Sequence, residues 1–160
     1  MGIVAAASGV TEQLREEFEC YCTLEGLLVK EEAALIAVAS DRVAALAGEK
    51  ERVTVRLQEL ARRRVAMLQS QGLSGDATGM HTWLARHPEQ AGAVPAWAQL
   101  SSKVETTKRQ NQTNGRLIDA LVRHLQARLN LISSATCANP TYGADGLSRL
   151  ARFPSVFGQA

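Results

Sequence analysis

The sequence predicts an all-α fold: an elongated antiparallel bundle of three long helices plus one short helix, ending in a flexible C-terminal tail. Three observations predict it. Ala, Leu, Gln, Glu and Arg dominate, aromatics are only 4% of the chain and four prolines occur in 160 residues, which is the composition of long helices rather than of sheets. Apolar residues recur at steps of three and four over stretches much longer than a strand. Breaking residues collect in two places, 72–95 and the end of the chain. The predicted bundle spans 1–136, with helices at about 10–39, 41–71, 76–86 and 95–135, and the tail spans 137–160.

The first helix rests on Leu14, Phe18, Tyr21, Leu24, Leu28, Leu35 and Val38, which fall on one stripe. Ser40 and Asp41 supply capping chemistry for a break after it. The second helix carries two heptad columns, Val43, Lys50, Leu57, Arg64 and Leu46, Val53, Leu60, Met67, so two seam positions are basic. Gly72 suits a left-handed C-cap. One glycine costs a helix only about 1 kcal/mol relative to alanine, so Gly48 does not end the segment.

Residues 72–95 leave room for one short helix, about Asp76 to Arg86, whose Trp83 and Leu84 are placed to cover an end of the bundle. Pro95 fits a first helical turn and opens the last helix. Its columns are Trp97, Val104, Asn111, Ile118, Leu125, Ile132 and Leu100, Thr107, Asn114, Leu121, Arg128. The seam is polar in the middle, at Thr107, Asn111 and Asn114, with Gly115 directly after. The pattern nevertheless resumes in phase, which argues for one helix passing through.

The net charge of +2 hides an asymmetry. Residues 1–40 hold seven carboxylates against Arg15 and Lys30, a balance of −5, which leaves +7 on the rest. An acidic first helix is therefore expected to pack on basic later ones. Three cysteines, two of them at Cys20 and Cys22 and pointing apart on a helix, suggest a reducing, cytoplasmic setting. The opening MGIVAAASG lacks a secretory pattern, and no window approaches a membrane-spanning length of apolar residues, so no membrane insertion is expected.

Catalytic and metal constellations are weak. His81, His87 and His124 have no ligand spacing with cysteines or carboxylates, and Glu31 and Glu32 point about 100° apart on a helix. No enzyme, metal or cofactor is expected. The basic run Arg62, Arg63, Arg64 with Lys103, Lys108, Arg109, Arg116, Arg123 and Arg128 raises nucleic-acid binding, but carboxylates interleave with it and no aromatics offer a stacking platform. A structural coiled-coil scaffold is a further alternative.

The seam residues Asn111, Asn114 and Gly115 admit two readings: a polar layer fixing register through Glu31, Glu32, Lys50 or Arg64, or a weak layer that a partner helix exploits. In the tail, Leu147, Leu150 and Phe153 at three-residue spacing form one potential apolar face among turn-forming residues, suited to a partner's groove.

NQTNGRLI at 111–118 and TYGADG at 141–146, on a helical chain of this length, resemble the FlgN family of flagellar export chaperones. The Leu and Glu pattern of the first helix, the run through Asp41 and Lys50 and the Arg-rich end of the second helix agree with it. The resemblance implies a cytoplasmic chaperone for the hook-filament junction proteins FlgK and FlgL. It places client binding on Ile118, Leu121, Val122, Leu125 and Leu129 together with the tail, and makes Tyr142 a docking point for the cytoplasmic domain of the export gate. A homodimer is compatible with apolar stripes of this length. The stretch after Gly146, LSRLARFPSVFGQA, is more apolar than the family's usual tail.

Overall fold

The computed structural model describes residues 2–137, with side chains described from residue 9 to residue 134. Tyr142, Leu147, Leu150 and Phe153 lie outside the described residues. Four helices follow in order: α1 Gly2–Ile36, α2 Ser40–Ser70, α3 Ala77–Arg86 and α4 Ala93–Cys137, with no strand among the described residues. The chain divides into two units, Met1–Ile118 and Asp119–Ala160.

In the first unit α1 and α2 form an antiparallel hairpin. Its register is visible in two buried ion pairs: Glu17 meets Arg64, and fourteen residues further along α1 Glu31 meets Lys50, fourteen residues back along α2. α4 runs parallel to α1, since Lys103 reaches Glu25 and Gln110 reaches Glu32, seven residues on in both helices. The core at one end joins Leu14, Leu68, Met80, Trp83, Ala93, Ala96, Trp97 and Leu100, so all four helices contribute to it. Toward the hairpin tip a smaller cluster of Leu27, Ala34 and Leu46 seals α1 against α2.

The connections follow local chemistry. At the end of α2 the Gly72 N–H donates to the Gln69 carbonyl and the Leu73 N–H to the Leu68 carbonyl, each at 3.0 Å, with Gly72 at φ +70°. That is a Schellman cap, and Leu73 packs back on the core beside Leu68. Asp76 then caps α3 by accepting the Gly79 N–H at 3.0 Å, which holds its carboxyl below the ordinary carboxylate value. A Cβ at Gly79 would lie 1.8 Å from the Ser74 carbonyl oxygen, so this tight entry requires glycine.

Both ends of α1 and the cap of α2 differ from the sequence expectation, and α4 starts at Ala93, two residues before Pro95. α1 begins at Gly2 rather than near Val10, because the Ala-rich opening continues the helix through Gly9. It ends at Ile36 rather than Ala39, and Ala39 instead of Ser40 stands at the N-cap of α2, with no side-chain capping bond. Val38, expected on the apolar stripe, is exposed at φ 54° in the turn, a conformation that β-branched residues rarely adopt.

Candidate functional site

α4 contributes to two kinds of surface. In the first unit its inward line is Trp97, Leu100, Thr107 and Asn114, all buried. Asn114 is 2% exposed and fully engaged: its amide Nδ2 donates to the Leu28 carbonyl and to Glu31 Oε2, each at 2.8 Å, while its Oδ1 accepts from Gln110 Nε2 at 3.3 Å. Glu31 also accepts from Lys50 Nζ at 2.8 and 2.9 Å. One buried carboxylate thus ties α2, α1 and α4 together, and Gln110 adds a bond to Glu32 at 2.9 Å. Such a layer is stabilising only because each of these groups has a partner.

A second polar layer lies nearer the other end. Glu17, 2% exposed, accepts from Arg64 Nε at 3.1 and 3.3 Å, and the Arg64 guanidinium sits 5.3 Å from the centre of the Trp97 ring. Burial raises the Glu17 carboxyl above its ordinary value even though Arg64 pulls it down. The same burial raises the Tyr21 phenol. Thr107 is buried with no hydrogen-bond partner for its hydroxyl among the described residues.

The predicted charge pairing takes a specific form. The helix-to-helix ion pairs Glu16–Arg56, Glu17–Arg64, Glu31–Lys50 and Glu25–Lys103 all place the acid on α1 and the base on α2 or α4. The Glu25 carboxylate, bonded at 2.7 Å, raises Lys103 above the ordinary lysine value. These bases are not an open cationic face. Among the described residues no group of three or more His, Cys, Asp or Glu is arranged to hold a metal ion, and no helix is long and apolar enough to cross a membrane.

The structure separates the seam residues named from the sequence. Asn111 is exposed, three residues before the buried Asn114, and Gln110 takes the place it was assigned. The column through Leu100, Thr107 and Asn114 stays buried against α1, where Asn114 bonds Leu28 and Glu31, whereas the column through Trp97 and Val104 is exposed by Asn111. Gly115 is half-buried with open space around it: a Cβ there meets nothing within 4 Å. Glu17 and Gln110 are missing from the sequence-derived set. The fourteen-residue spacing of Glu17 and Glu31, matching Lys50 and Arg64 in reverse, was the available signal for the first.

Of the client-binding candidates on α4, Ile118, Val122, Leu125 and Leu129 are exposed and Leu121 is half-buried. Ile118, at the end of the first unit, is 38% exposed. In the second unit Leu121 is half-buried, while Val122, Leu125 and Leu129 are 47%, 49% and 62% exposed. At about 100° per residue these four fall within an arc of roughly 100°, one apolar stripe of a helix. Leu131, 70% exposed, stands off that stripe.

A family model described as FlgN protein matches residues 1–149. No curated protein and no solved structure matches the chain.

Proposed function

The chain belongs to the FlgN family, and from that premise we propose that it is a cytosolic chaperone of the hook-filament junction proteins FlgK and FlgL that delivers them to the flagellar export apparatus. The family is one of flagellar export chaperones. The observation that supports these clients is the stripe of Leu121, Val122, Leu125 and Leu129, an apolar helix face left exposed on the second unit. Clients that assemble through helical termini expose amphipathic segments before assembly, and a matching apolar face masks them.

The tail residues Leu147, Leu150 and Phe153 extend the same role in this proposal, and Tyr142 docks on the cytoplasmic domain of the export gate through an aromatic ring with a polar tip. Nucleic-acid binding is the poorer reading, because Arg56, Arg64, Lys50 and Lys103 are already paired with α1.

Copurification with FlgK or FlgL tests the proposal. The intact chain should retain a client at micromolar concentration, and a truncation after Ser134 should retain it less well. Failure of the intact chain to hold either one ends the assignment. Tyr142→Ala should leave client binding intact and lower export; unchanged export removes the docking role.

A further inference from the structure

We infer that the partner seated on the Leu121, Val122, Leu125 and Leu129 face is an amphipathic helix with carboxylates along the edge that meets His124 and Arg128, a helix patterned like α1. The inference rests on the chaperone reading above and names the chemistry of the segment that this face takes.

The chain itself shows what α4 pairs with. In the first unit three nitrogen donors on its inward side are each met by a carboxylate of α1: Lys103 by Glu25 at 2.7 Å, Gln110 by Glu32 at 2.9 Å and Asn114 by Glu31 at 2.8 Å. Lys103 and Gln110 are seven residues apart, and two further steps of seven lead to His124. The column of Asn114 leads through Leu121 to Arg128. Nitrogen donors therefore recur in the second unit at steps of seven from those that α1 carboxylates meet in the first.

His124 and Arg128 are exposed, and neither pairs with a carboxylate among the described residues. They share one border of the apolar stripe: Arg128 lies about 20° outside Leu121, whereas Asp119 lies about 60° beyond Val122 on the other border. Asp119 is the only carboxylate between 119 and 137. A second copy fits this edge poorly. Two identical helices packed antiparallel set like borders against each other, so the Arg128 border would meet its own copy, which offers no carboxylate. Residues 146–153 of the tail carry Arg149 and Arg152 and no acid, so they bring the same sign of charge. A carboxylate-edged helix meets both requirements of the face, apolar contact and charge.

Titration calorimetry of the full chain and its Arg128→Glu, Arg128→Lys and Leu125→Ala variants against purified FlgK and FlgL, at low and high NaCl, tests the inference. Arg128 is exposed, so circular dichroism should be unchanged in both of its variants. Arg128→Glu should weaken binding about tenfold at low salt and Arg128→Lys should retain it, as expected for a charge at an interface rim. The affinity of the unmodified chain should fall with salt, and that of Arg128→Glu should not. If Leu125→Ala weakens binding while Arg128→Glu does not, the chaperone reading stands and the acidic helix is wrong. If the unmodified chain binds neither client, both fall together. Self-association that Leu125→Ala abolishes would instead seat a second copy on the face.

Discussion

α4 is one helix with two fates. From Trp97 to Asn114 its inward residues are buried against α1 and the core, whereas Val122, Leu125 and Leu129, spaced in the same way, stand about half exposed or more. The difference is not in apolar content or helix propensity. It lies in what is opposite: the first stretch faces the Glu and Leu pattern of α1, and Lys103, Gln110 and Asn114 are absorbed into bonds with Glu25, Glu32 and Glu31. A periodic stripe tells which side of a helix wants cover. It does not tell whether the cover comes from the same chain.

The largest expected contrast breaks the two stretches apart by stability. Leu100→Ala removes a side chain that is 1% exposed and should cost about 2–5 kcal/mol in urea unfolding. Leu125→Ala should change stability by less than about 0.5 kcal/mol while weakening client retention. Equal losses would mean that Leu125 belongs to the core.

Next in size is the polar layer. Asn114→Leu leaves Glu31 and the Leu28 carbonyl short of a donor and should cost about 1–3 kcal/mol. Asn111→Leu, on the exposed side, should stay within about 0.5 kcal/mol of the unmodified chain by the same thermal or urea measurement. A stabilised Asn114→Leu would show that apolar packing outweighs the hydrogen bonds.

The smallest effect concerns Glu17, whose folded-state value is raised. Between the ordinary value of 4.5 and the raised one, the folded state holds a proton that the unfolded state has released. Stability contributed at Glu17 is thus fully present below the ordinary value and falls as pH rises through the folded one. Glu17→Gln removes that slope, so the unmodified chain should gain on the variant as the pH is lowered toward 4.5 in a series of denaturant titrations. A pH-independent difference would mean that Arg64 holds the carboxyl ionised throughout.

Much of the fold is legible in the residues. The columns on α2 place Leu46, Leu57 and Leu60 in the core and Lys50 and Arg64 at its polar layers, and Gly72 and Asp76 cap as their types suggest. The N-terminal extension escaped because Gly9 and Ser8 look like an end but cost a long helix little. The turn at Val38 escaped because Ser40 and Asp41 advertise a cap that the backbone does not use. For the site, exposure at Leu125 and Leu129 is invisible to periodicity, since a covered and an uncovered stripe read alike. Asn111 and Asn114 read alike by spacing, and what decides between them is the place of the Leu28 carbonyl and Glu31 on α1, which only Asn114 reaches.

Trp83 and Trp97 are the only tryptophans in the chain, and both lie in the same buried cluster of the first unit, one stacked on His87 at 4.4 Å and the other under Arg64. Ultraviolet emission from this protein is consequently a local gauge of that cluster. Melting of the α1–α2–α4 core should redden it, while a client helix confined to Leu125 and Leu129 should leave the spectrum unmoved, so the two events separate by colour in a single cuvette.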